Sequence, residues 1–131
     1  MKKLNLTVSL ILLPILSGCA YEPKTPKAGE SVVYIKAQSG NEMLARSLDS
    51  QRATSLNQFN VSAGKHTMEV GLVKVGYQNS HRRCVATLTY GNFLPDSSYT
   101  LVENSSGADV KVALLDNEGK TVAETDKVPC L

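Results

Sequence analysis

Three cysteines, two histidines and a short run of cations hold most of the chemistry open to this chain of 131 residues. The thiols are Cys19, Cys84 and Cys130, none in a Cys-x-x-Cys pair and none beside an obvious base. A nucleophilic thiol needs such a neighbour to hold it as thiolate, so a catalytic cysteine is the weaker reading. His66 and His81 share no recurrent spacing, and zinc wants four nitrogen or sulfur ligands, so the chain is read as metal-free. His66 stands where a hairpin turn enters a strand, and its ring is expected to donate to a nearby backbone carbonyl. His81 leads His81-Arg82-Arg83, expected in a polar loop. There is no Gly-x-Ser-x-Gly elbow, His-Glu-x-x-His, Walker glycine run or dinucleotide fingerprint. No catalytic residue and no cofactor is assigned.

The elements that must position these residues begin with a leader. Lys2 and Lys3 form a positive n-region, and Leu4 to Leu16 an apolar stretch broken by Asn5, Thr7, Ser9 and Pro14. Small residues Ser17, Gly18, Cys19 and Ala20 follow, as a signal peptidase requires. The stretch falls short of the ~20 apolar residues of a membrane span. Leu16-Ser17-Gly18-Cys19 resembles the lipobox of bacterial lipoproteins. That resemblance implies recognition of Leu16, Ser17 and Gly18 by the peptidase, a diacylglycerol on the Cys19 sulfur, cleavage before Cys19 and acylation of the freed amine. Ala20, where aspartate would signal inner-membrane retention, implies the periplasmic face of the outer membrane of a Gram-negative cell. Two or three acyl chains hold a protein firmly where one does not.

Residues 1–18 are thus read as a helical signal peptide, 19–30 as the lipidated cysteine and a flexible tether, and 31–131 as one domain. The chain has 14 Lys+Arg against 12 Asp+Glu. Lys2 and Lys3 leave with the leader, so what remains is balanced and has no electrostatic reason to bind nucleic acid. With Cys19 committed to lipid, Cys84 and Cys130 remain as an even pair in an oxidising compartment, where a disulfide is the default. Such a bond needs α-carbons about 4.4–6.8 Å apart. It would pin the tail to a central strand.

From Ser31 the apolar pattern has period two. Val33, Ile35 and Ala37 make one apolar face, then Phe59 and Val61, then Met68, Val70 and Leu72. Cys84, Ala86, Leu88 and Tyr90 follow, then Tyr99 and Leu101, then Val110, Val112 and Leu114, with a weaker strand over residues 121–125. Glu42 to Leu48 is read as an irregular strand, with a helical turn as the alternative. Turn formers separate the runs at Ser62-Ala63-Gly64-Lys65, Gly91-Asn92, Pro95-Asp96, residues 104–107 and residues 116–119. The expected fold is all-β, a small antiparallel β-sandwich of about seven or eight short strands. The acids Asp96, Glu103, Asp109, Asp116, Glu118, Glu124 and Asp126 fall in or beside turns and are expected to be solvated.

Val61-Ser62-Ala63-Gly64-Lys65-His66-Thr67-Met68-Glu69-Val70, with Gly76-Tyr77 beyond, resembles the Ala-Gly-x-His-x-hydrophobic hairpin and Gly-Tyr of PEGA-type surface-layer and lipoprotein domains. Leu94 to Leu101 is similar to the strand entry that follows such hairpins in small envelope lipoproteins. Covering residues 56–102, the resemblance implies a small β-sandwich and no activity.

The function expected is that of a non-catalytic, lipid-anchored envelope protein, a binding or structural module. Its partners would be the membrane, through Cys19, and an envelope protein or cell-wall component. His81, Arg82 and Arg83 are the candidate contact for an anion such as a lipid head group or lipopolysaccharide phosphate. The alternatives are a periplasmic inhibitor or secretion-system accessory and, behind it, a lipid-tethered hydrolase.

Overall fold

Side chains that alternate along the sequence bury one face of each strand, and two sheets close over those faces. The computed structural model describes residues 25–131. Among them are nine strands: β1 (Ser31–Lys36), β2 (Glu42–Leu48), β3 (Gln51–Arg52), β4 (Gln58–Val61), β5 (Gly64–Val75), β6 (His81–Phe93), β7 (Ser98–Glu103), β8 (Val112–Leu115) and β9 (Thr121–Glu124). One sheet has the order β4-β1-β7-β8-β9, the other β3-β2-β5-β6. The all-β sandwich expected from the pattern is what forms. The strand that the pattern does not announce is β3, two residues that pair Gln51 and Arg52 back onto Leu48 and Ser47. The leader and residues 19–24, with Leu16, Ser17, Gly18 and Cys19, lie outside the described residues.

Four details depart from expectation. The β1–β7 pair is parallel, Val33 opposite Tyr99, because the chain returns once as β4, antiparallel on one side of β1, then crosses to the second sheet for β5 and β6 and re-enters as β7 on the other side. Gly91-Asn92 is no turn. Both residues face Lys65 alone, between the pairs Gly64–Phe93 and His66–Tyr90, so they form a bulge within β6. His81, Arg82 and Arg83 lie in β6, paired with Val75, Lys74 and Val73, not in a loop. The last residues of the expected tether form a turn, Glu30 N–H donating to Lys27 O at 2.9 Å, held to the domain by Gly29 N–H on Asp96 Oδ1 at 2.8 Å.

Met68, Leu72, Leu101, Leu114, Val33 and Val61 are fully buried between the sheets, each contributing ~1.5–3 kcal/mol relative to exposure. Phe93 fills one end, its ring edge-on to Tyr90 and to Tyr99 at 4.9 Å each. Buried Ser31 seals that end, its hydroxyl donating to Leu94 O and accepting Ser97 N–H at 2.9 Å. The opposite end is held by Glu103, which is no solvated loop acid. It is 5% exposed and accepts from Gln38 N–H and both-oxygen contact with Asn41 Nδ2, each at 3.0 Å, and from Ser105 Oγ at 2.7 Å. A buried carboxylate is tolerable only with its oxygens so occupied. Asn41 in turn accepts Val75 N–H at 3.0 Å, so the β5–β6 tip hangs from the same network.

Cys84 and Cys130 are bonded, with α-carbons 4.1 Å apart, just under the expected range. The two form an antiparallel bridge whose flanking contact is Leu131 N–H on Arg83 O at 2.8 Å. That makes them a pair without mutual backbone bonds, the closer kind, at about 4.5 Å. Cys84 is on β6, the edge of its sheet rather than its centre. The tail leaves β9, the edge of the other sheet, so the disulfide staples the two edges along one side.

Candidate functional site

His66 has a partner at each of its ring nitrogens, drawn from two separate turns. Its Nε2 lies 2.8 Å from Ser62 O and 3.0 Å from Ser62 Oγ, and its Nδ1 2.5 Å from Asp49 Oδ2. The backbone carbonyl is the partner expected from sequence. Asp49 is not, because it stands 17 residues away in the β2–β3 turn, with no local signal linking the two. Asp49 and Ser50 carry φ of 49° and 65°, as both centres of a tight two-residue hairpin must. That turn swings the Asp49 carboxylate onto β5, where Oδ1 accepts Thr67 N–H at 2.8 Å while Asp49 N–H donates to Thr67 O. Burial pushes the Asp49 carboxyl up, but the Thr67 N–H bond, the His66 bond and the His66 charge outweigh it. The group sits below its ordinary value of 3.8.

Serine, histidine and aspartate in this order suggest nucleophilic chemistry, which needs a bare Nε2 to take the serine proton. Here Nε2 faces the Ser62 carbonyl, an acceptor only, at 2.8 Å, closer than Ser62 Oγ at 3.0 Å, and Nδ1 faces the Asp49 carboxylate. Nε2 is thus shared between the carbonyl and Ser62 Oγ rather than aimed at the hydroxyl alone. The arrangement is a clamp that joins the β2–β3 turn to the start of β5.

The basic trio does not converge. Strand alternation sends His81 and Arg83 to the outer face of the sheet and Arg82 to the other side. Arg82 sits opposite Lys74, and both donate to loop carbonyls, Arg82 Nη1 to Ala108 O at 3.5 Å and Lys74 Nζ to Gly107 O at 2.5 Å. Two like charges facing each other are thereby quenched by neutral acceptors. Arg83 alone of the trio faces a depression, about 260 Å³, whose walls include Leu44, Val73 and Val85. A larger hollow of about 400 Å³ lies between the turn at residues 27–30, the β2–β3 turn and β4.

Among the described residues no three of His, Cys, Asp and Glu gather where a metal could sit, and no helix is long and apolar enough to cross a membrane. Comparison with protein-family models, curated proteins and solved structures finds no match to this chain.

Proposed function

We propose that the chain is a non-catalytic lipoprotein of the cell envelope, anchored through Cys19 to the periplasmic face of the outer membrane, where its β-sandwich is a binding or structural module. The observation that carries this reading is the division of the thiols. Cys84 and Cys130 are bonded to each other, as a compartment outside the cytosol permits, and Cys19 is left in its lipobox-like setting. The PEGA-like hairpin agrees with it. So does the clamp at His66, whose two ring nitrogens both face partners within the domain.

Polarity of the domain fits the same reading. β1 starts at Ser31 beside Val61, with Val32 beside Ser98, and ends at Lys36 beside Val102. The loop after β1 reaches the β5–β6 tip through Asn41 and Val75. The N-terminal attachment and the tip are therefore at opposite ends, and an anchored domain points the tip, with Tyr77 87% exposed, away from its own membrane. The test is fractionation of cells expressing the full chain. It should follow outer-membrane markers and leave the pellet with detergent but not with salt or carbonate; a salt-released or freely soluble chain would refute the anchor.

A further inference from the structure

The outer face of the four-stranded sheet has no role in the fold or the clamp. Alternation along β2, β5 and β6 turns two adjacent cross-strand rows outward. Glu42, Val73 and Arg83 form one, Leu44, Gly71 and Val85 the other. Gly71 adds no side chain, which leaves the depression between its neighbours. Leu44 and Val85 are 40% and 39% exposed. Glu42 and Arg83 flank the middle strand, about 10 Å apart at two strand spacings. Neither makes an ion pair with any described residue.

We propose that this face is a two-fold self-association surface, its occupant a second copy of the chain. A copy turned half a revolution about an axis along β5 sets its Arg83 over Glu42 and its Glu42 over Arg83. Its Val85 meets Leu44, its Leu44 meets Val85, and Val73 meets its own counterpart. That is the reciprocity an isologous interface requires, and it uses both unpaired charges. The acid nearest the axis, Glu69, is drawn sideways by Arg46, Nε to Oε1 3.1 Å. Arg46 reaches it across Gly71, where a Cβ would come within 3.2 Å of Arg46 Cδ.

Three strands about 4.8 Å apart and outward rows along β5 give a patch of roughly 14 by 27 Å, about 380 Å² a side, below the ~800 Å² a side of a standard interface and in the range of a weak encounter. Association is accordingly weak and gains from confinement of the copies to one membrane. That gain rests on the anchoring proposed above; the complementarity of the face does not.

The experiment co-expresses two differently tagged full-length copies, cross-links them in intact cells, extracts them in detergent and measures how much of one co-purifies with the other. Wild-type copies should co-purify. Glu42→Arg sets arginine over Arg83, and Arg83→Glu sets glutamate over Glu42, so each alone should lower recovery at least tenfold with an unchanged melting temperature. The double swap should restore it. So should mixing one tagged E42R copy with one tagged R83E copy, each supplying the charge the other lacks. Wild-type copies that fail to co-purify, single variants that co-purify like wild type, or a double swap that stays apart would each overturn the proposal. In a Cys19→Ala background recovery should fall while the order of the charge series persists. Loss of that order counts against the face, whereas a recovery that does not fall while the order is kept counts against the lipid anchor alone.

Discussion

At the scale of single residues, the two most connected acids are the ones that composition hides. Glu103 ends β7 beside a run of Asn, Ser and Gly, which reads as a solvated turn, yet its carboxylate gathers Gln38, Asn41 and Ser105 from two loops. Truncating it strands those donors, and unsatisfied buried groups cost about 1–3 kcal/mol each. Glu103→Ala should therefore lower the melting temperature by roughly 8–20 °C, while Glu124→Ala, on partly exposed β9, should change it little; differential scanning calorimetry separates the two. Asp49 makes the matching pH prediction. Its folded value is depressed, so its contribution is complete above the ordinary value of 3.8 and is lost as pH falls through the lower folded value. Asp49→Asn should be less stable near neutrality, and its melting curve should depend less on pH in the acid range. Equal pH dependence in both proteins would contradict the clamp. None of this was legible locally. A carboxylate partner 17 residues distant is a product of hairpin geometry, whereas the Ser62 carbonyl, four residues away, could be expected from the turn itself.

At the scale of elements, alternation does most of the specifying. Period two along residues 31–37, 67–72 and 84–90 marks strands whose inward members are the buried core. Where prediction and structure part, the cause is physical. Gly91-Asn92 has turn residues, yet neither takes a positive φ, and the extra residue is absorbed as a bulge within the strand. His81-Arg82-Arg83 looks like loop because a strand end beyond the sandwich buries neither face. Which strands pair, and that β1 and β7 run parallel, depends on contacts across more than 60 residues and leaves no short-range trace. The disulfide was readable by elimination, but its place on an edge strand was not. It holds the edges of both sheets, and the chain-entropy cost it removes is about 4 kcal/mol. Cys130→Ser, or reduction, should lower the melting temperature by ~10–30 °C. Calorimetry on oxidised and reduced protein checks it, and a drop of under ~3 °C would mean the sheets hold without the staple.

At the scale of the whole molecule, the sandwich has one end tied to the N-terminal segment and a basic hairpin at the other, as the proposed anchored module needs. Elemental analysis of the purified chain should find no stoichiometric zinc; a one-to-one ratio that falls in His66→Ala would show that the clamp is a ligand set instead. Anchoring remains the claim on which compartment, orientation and function depend, and fatty-acid labelling reads it directly. Cells expressing the full chain are fed a clickable fatty acid, and the wild type is compared with Cys19→Ala. The account predicts a labelled, processed wild type and an unlabelled, unprocessed variant. Label retained at wild-type level in Cys19→Ala, or absent from both, would contradict it.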